Sequence, residues 1–225
     1  MFAGINLHAG KGMIKMDKLI KTHPVIAVLR GIPDDDLIDY MNSLYAGGLR
    51  AFEISFSSSG APAQVERARD HMPADACIGA GTVLTVSDAR MAVDVGADFL
   101  LSPSTNPEVL SYCGTHDVRL LPGVFSPTDV SVCLEYGFHT LKLFPASSHQ
   151  PGFIKALQGP FPQTEYVAVG GVSPANTADY LRSGFAGVGI GGSLVDAETF
   201  RQRKWDEITR SIQKFLNDLR KENLL

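Results

Sequence analysis

Short apolar runs recur along the chain at fairly even spacing, with helical periodicity between them. The runs are "PVIAVL" (24–29), "LRAFEIS" (49–55), "ACIGAG" (76–81), "ADFLLS" (97–102), "VRLLPG" (118–123), "FHTLKLF" (138–144), "EYVAVGG" (165–171) and "FAGVGIGG" (185–192). After the first run, "DDDLIDYMNSLYAGG" sets Leu37, Ile38, Met41, Leu44 and Tyr45 on one helical stripe and closes on glycine. "SPTDVSVCLEYG" and "SPANTADYLRSG" each open Ser-Pro, an N-cap with proline in the first turn, and each closes on Gly. "SDARMAVDVG" and "NPEVLSYCG" follow the same plan. Near-continuously apolar strands alternating with capped helices predict a parallel sheet covered on both faces. Eight such strands predict a single-domain α/β protein, a closed (β/α)8 TIM barrel near the lower end of its size range. The structural alternative is an open doubly wound sheet, whose first turn should carry a G-x-G-x-x-G fingerprint. The turn here reads "LRGIPDDD", which does not fit.

Composition narrows the reading. The chain has 225 residues, 44% hydrophobic and 20% charged, which suits one domain with a substantial core. A net charge of −4 argues against a nucleic-acid-binding face and against an anionic membrane surface. No apolar stretch approaches the length of a bilayer span. The opening "MFAGINLHAGKGMIKMDKLIK" lacks the apolar core of a signal peptide. Met13 and Met16 follow closely on Met1, so residues 1–16 read as a loosely ordered extension and 17–225 as the barrel domain. Cys77, Cys113 and Cys133 lack metal-ligand spacing and read as small buried or half-buried residues of a reducing, cytoplasmic compartment.

Chemistry in such a barrel collects at the C-terminal ends of the strands. Those ends carry Arg30, Glu53, Gly81–Thr82, Ser102–Pro103, Pro122–Gly123, Lys142, Gly170–Gly171 and Gly191 through Ser193. Lys142 lies within "LKLF", where a buried ammonium is costly. It reads either as a lysine snorkelling from a strand end or as an amine whose pKa is lowered enough to attack a carbonyl. Position alone leaves these two readings even. Glu53 reads as a structural ion pair with Lys142 or Arg30, or as a proton shuttle for Schiff-base chemistry. Arg30 reads as the partner of Glu53 or as a fork for an anion. "GAGTVL" is a tight turn, or a carboxylate site of N–H groups and the Thr82 hydroxyl. The glycine pairs in "VGGVSP" and "GIGGSLV" follow the last two strands, the usual place of a barrel phosphate site. His71, His116 and His139 lie outside this ring. His149, in a loop, is in reach of substrate, although a loop histidine is more often solvated.

Together, "PVIAVLRGI", "FEIS", "IGAGTVL", "DFLLSPSTNPEV", "LPGVFSPTDV", "LKLFPAS", "IKAL" and "VAVGGVSPAN" resemble the 2-keto-3-deoxy-6-phosphogluconate aldolase family, which includes 4-hydroxy-2-oxoglutarate aldolases. The resemblance covers about residues 17 to 195. It implies a class I aldolase on a (β/α)8 barrel, commonly a homotrimer, with no cofactor and no metal. The substrate would be a keto-deoxy sugar acid, cleaved to pyruvate and an aldehyde in Entner–Doudoroff-type carbohydrate metabolism. By position, Lys142 would form the Schiff base and Glu53 would be the general acid/base. Thr82 and Arg30 would contact anionic groups, and Gly170, Gly171, Gly192 and Ser193 would line the phosphate end. Pro103, Phe144 and Val169 complete the substrate-binding set from the matching stretches.

Two departures bear on substrate. Phosphogluconate-type enzymes usually carry arginine four residues after the glutamate, where this chain has Ser57, and threonine before Gly-Gly, where it has Val169. "EISFSSSG" and "AVGGVSP" look more like the branch acting on the phosphogalactonate epimer, which carries a similar "EIPLNSP". Alternatives are an aldolase for 4-hydroxy-2-oxoglutarate or an unphosphorylated keto-deoxy acid, a sugar-phosphate isomerase without covalent chemistry, and a non-enzymatic binding barrel.

Overall fold

The computed structural model describes residues 16–150 and 152–225. Of the expected N-terminal extension, residues 1–15 lie outside the described residues. Met16 is the first residue of helix α1 (Met16–Thr22) and is buried.

Nine strands form one sheet: β1 (Val25–Leu29), β2 (Ala51–Ser55), β3 (Cys77–Gly81), β4 (Phe99–Leu101), β5 (Leu120–Leu121), β6 (Gly123–Val124), β7 (Thr140–Leu143), β8 (Glu165–Val169) and β9 (Gly187–Ile190). Their order is β5-β4-β3-β2-β1-β9-β8-β7-β6, and every pairing is parallel. The two ends of this order, β5 and β6, are halves of one stretch broken at Pro122, so the sheet closes on itself as an eight-position barrel. Proline has no N–H for a ladder, which splits the fifth expected strand. Its carbonyl still accepts from the Lys142 N–H at 2.9 Å.

The strands are apolar on both sides because each side meets something. In β2, Phe52 and Ile54 join the layer under the helices, and in β7 Leu141 and Leu143 do the same. The alternate positions turn to the barrel axis. There Ile26, Ala51, Phe99, Leu101, Leu121, Val167 and Val169 form an inner core with Met16, Leu19 and Ile20 of α1. Helix α1 thus stoppers the N-terminal end of the barrel. The C-terminal end is left to Glu53 and Ser55 of β2 and Lys142 of β7.

The outer layer is α2 (Asp34–Ala46), α3 (Ala61–His71), α4 (Val86–Asp94), α5 (Pro107–Thr115), α6 (Pro127–Glu135), α7 (Phe153–Gln158), α8 (Thr177–Arg182), α9 (Ala197–Arg201) and α10 (Trp205–Lys221). In α2 the expected stripe is buried at Leu37, Met41 and Leu44, with Tyr40 added, while Ile38 and Tyr45 are half-buried. Helix α6 is capped by Ser126 as expected, in a capping box with Asp129. Helix α4 begins earlier than "SDARMAVDVG" suggests, with Thr85 and Asp88 forming the capping box. The Ser-Pro start expected for α8 is corrected: Ser173 and Pro174 lie in the loop, and the helix begins at Thr177. Asn176 holds that loop instead, accepting from the Ser173 N–H at 2.8 Å and donating to Gly171 O at 3.0 Å. Among the described residues, no helix is long and apolar enough to cross a membrane. Cys113 and Cys133 are buried, their thiols pushed up to about 12 and about 11 by burial, and Cys77 is half-buried.

Candidate active site

Strand periodicity decides what enters the barrel. In "TLKL" the leucines go outward, so Lys142 goes inward with Thr140. In "AFEIS" the same alternation sends Glu53 and Ser55 inward. Counted around the closed sheet, β2 and β7 are four positions apart, so Glu53 and Lys142 face one another across the axis.

Both are almost completely buried, at 1% and 4% exposure. Burial raises the Glu53 pKa, opposed in part by the charges of Lys142 and Arg30. Burial lowers the Lys142 pKa, Glu53 opposes this, and Arg30 adds to it. Among the described residues, neither Lys142 nor Arg30 pairs with Glu53 within 4.0 Å, and Glu53 Oε2 is buried without a hydrogen-bond partner. The structural ion pair is therefore not what holds Glu53. What makes room for it is Gly81: a β-carbon there would overlap the Glu53 carboxyl. Lys142 Nζ lies 4.8 Å from the centre of the Phe144 ring, on the same side of the chain.

Phe144 also walls a cavity of about 290 Å³, lined by Arg30, Val169, Gly170, Gly171, Gly192 and Ser193, among others. Seven of the expected site residues are thus brought together. Gly170 and Gly171 have φ of +88° and +77°, which favours glycine, and a side chain at either would strike the loop of Pro145 and Ser147. Ser193 Oγ donates to Val172 O at 2.7 Å, tying the two glycine loops together. Arg30 is exposed at the rim of this cavity, just past β1.

Thr82 follows β3 and does not line this cavity. Its φ is +60°, which for a β-branched residue costs on the order of 1–3 kcal/mol. Ser55 Oγ lies 2.8 Å from Thr82 Oγ1 and 3.1 Å from Ser57 Oγ. Ser55 was not among the residues the sequence singled out. The signal for it was its place two residues after Glu53, on the same face of the strand. Pro103 is not in the glycine-lined cavity; its carbonyl packs against Gly123 at the β4–β6 rim.

His149 is corrected. It is half-buried rather than solvated, its ring 4.4 Å from Phe125 and 3.9 Å from Phe153, with Nε2 buried and unpartnered. Burial lowers its pKa. A cavity of about 620 Å³ lies at the opposite end of the barrel, lined by strand starts and α1 and by neither Lys142 nor Glu53.

A family model described as "Aldolase: KDPG and KHG aldolase" matches residues 16–211. The chain is 37% identical over 185 residues to a probable 2-dehydro-3-deoxy-6-phosphogalactonate aldolase of Rhizobium meliloti, covering 80% of this chain and 87% of the relative. It is 34% identical over 200 residues to a 2-dehydro-3-deoxy-phosphogluconate aldolase of Haemophilus influenzae, covering 88% and 92%. A crystal structure of KDPG aldolase from Legionella pneumophila, with pyruvate captured as a covalent carbinolamine, superposes with a TM-score of 0.83 at 29% identity, covering 90% of this chain and 98% of that one. The eight-position barrel, the buried lysine opposite a glutamate and these matches have one consequence: the chain belongs to the KDPG and KHG aldolase family.

Proposed function

We propose that this aldolase cleaves a 2-keto-3-deoxy-6-phospho sugar acid to pyruvate and glyceraldehyde 3-phosphate, with Lys142 as nucleophile and Glu53 as general acid/base. The observation that carries the assignment is a lysine held below its usual pKa by burial, across the barrel from a buried glutamate. The neutral Lys142 amine adds to the C2 carbonyl, and Glu53 gives the proton that lets water leave the carbinolamine. The protonated imine then accepts the electron pair of the C3–C4 bond as it breaks. The C4 hydroxyl loses its proton to Glu53, and the aldehyde departs. Protonation of the enamine at C3 and hydrolysis release pyruvate and restore the amine. Thr82 meets the carboxylate, while Arg30, Ser193 and the glycine loops hold the phosphate. Val169 and Phe144 wall the space between, with Pro103 at the far rim.

Ser57 and Val169 favour the galactonate epimer over the gluconate epimer, in line with the Rhizobium relative's description. The same resemblance supports a homotrimer, and the thiols support a cytoplasmic enzyme of Entner–Doudoroff-type metabolism. Sedimentation at several concentrations tests the trimer. Borohydride trapping tests the chemistry: wild type gains a reduced pyruvyl adduct on Lys142, and Lys142→Ala gains none and releases no pyruvate. An adduct on another lysine, such as Lys155, overturns the assignment.

A further inference from the structure

Among the described residues, the ends of β2 and β3 carry hydroxyls beside Glu53 and no lysine or arginine. Ser55, the last residue of β2, is buried and pairs in register with Gly81. Its Oγ stands between Thr82 Oγ1 at 2.8 Å and Ser57 Oγ at 3.1 Å, so three hydroxyls form a ladder running from the exposed Ser57 inward. Each hydroxyl has one proton to donate. A substrate carboxylate can only accept. A Thr82 hydroxyl that donates to it must therefore take its own hydrogen bond from Ser55, and Ser55 in turn can accept from Ser57. The carboxylate gives the whole ladder one direction, and bonds in such a chain strengthen each other. Thr82 needs this support. Its backbone is in the left-handed region, and the next residue is pinned by the Val83 N–H to Leu101 O bond at 3.1 Å. The remaining freedom is the Thr82 side chain, and the bond to Ser55 removes it.

We propose that Ser55 is a positioning residue for recognition of the 2-keto acid carboxylate, acting through the Thr82 hydroxyl. This rests on the reading above that Thr82 meets the carboxylate. The ladder does with neutral donors what a cation would otherwise do on this side.

The test compares pyruvate with acetone, the same ketone carbon without the carboxylate, in borohydride trapping. Ser55→Ala should raise the half-saturating pyruvate concentration by about 2- to 12-fold, the loss of one hydrogen bond, and leave acetone trapping unchanged. In cleavage assays the effect should fall on KM more than on kcat. Ser55→Thr keeps the hydroxyl and should restore pyruvate binding. Ser55→Ala added to Thr82→Val should cost nothing further. Wild-type pyruvate behaviour in Ser55→Ala, equal losses for pyruvate and acetone, failure of Ser55→Thr to rescue, or additive losses in the double variant would each overturn the proposal. Failure of the underlying reading looks different: Thr82→Val would then bind pyruvate normally, or Lys142→Ala would still be trapped.

Discussion

At the scale of single residues, the candidate site turns on two groups whose pKa values burial shifts, Glu53 upward and Lys142 downward. Glu53 has no local partner for Oε2, so its carboxyl is free to exchange a proton with bound substrate. Glu53→Gln should still bind pyruvate but slow solvent exchange at the pyruvate methyl group by roughly 10²–10⁴-fold. Proton NMR in deuterium oxide measures this, and a wild-type exchange rate would make Glu53 structural. Val169 is the residue at which the proposed C4 preference can be tested. It is 7% exposed and lines the cavity beside Gly189, offering only methyl groups where threonine would offer a hydroxyl. Val169→Thr should move the ratio of kcat/KM for the two C4 epimers toward gluconate by about 2- to 12-fold, the worth of one hydrogen bond. Assays on both phosphorylated epimers check it, and an unchanged ratio rules the valine out as the determinant.

At the scale of elements, the helices are held at their starts by short polar side chains, and these can be removed one at a time. Thr85 and Ser126 each accept from the backbone N–H three residues on, and Asp88 and Asp129 return the bond. Thr85→Ala and Ser126→Ala should each cost about 1 kcal/mol, lowering the melting temperature by roughly 2–4 °C in a domain of this size. Because both caps lie outside the hydroxyl ladder and the glycine-lined cavity, kcat should stay within about two-fold of wild type. Helix α8 shows the limit of reading caps from a motif. Ser173-Pro174 has the right letters, yet Asn176 satisfies the glycine loop first and delays the helix to Thr177.

At the scale of the whole molecule, the buried lysine and glutamate are a stability cost. Glu53 is raised above its ordinary 4.5, so the folded chain binds more protons than the unfolded one, and stability falls as pH rises through that window. Lys142 is lowered below its ordinary 10.5, so the folded chain binds fewer, and stability rises with pH from the lowered value up to 10.5. At neutral pH both contributions destabilise. Replacing the buried pair by uncharged groups of similar size, Lys142→Met with Glu53→Gln, should stabilise by about 1–4 kcal/mol. The gain in melting temperature by circular dichroism should be larger at pH 7 than at pH 4, where the glutamate contribution is gone. A double variant less stable than wild type at pH 7 would show that the charges hold the barrel together.

Alternation of apolar strands with capped helices was enough to read a covered parallel sheet, because each strand must bury both faces; the count of eight strands and the missing G-x-G-x-x-G turn then pointed to the closed barrel. Lys142 and Glu53 were legible for a related reason: a charge inside an apolar strand is anomalous on sequence alone. Other features needed the closed structure. That Lys142 and Glu53 are opposed follows from counting strands around a ring, which no local pattern encodes. The split of β5 from β6 follows from Pro122 having no N–H for the ladder, but only the closed structure shows that the Lys142 N–H still reaches the proline carbonyl across the break. His149 looked solvated because its partners, Phe125 and Phe153, belong to a separate loop and a helix. Ser55 looked like any strand serine until the β2–β3 register set it beside Gly81 and its hydroxyl reached Thr82, just past the end of the next strand. The sequence by itself determined which side chains face the axis, since that is a matter of period two. Tertiary structure decided which of them meet, since that depends on register and closure between segments far apart in the chain.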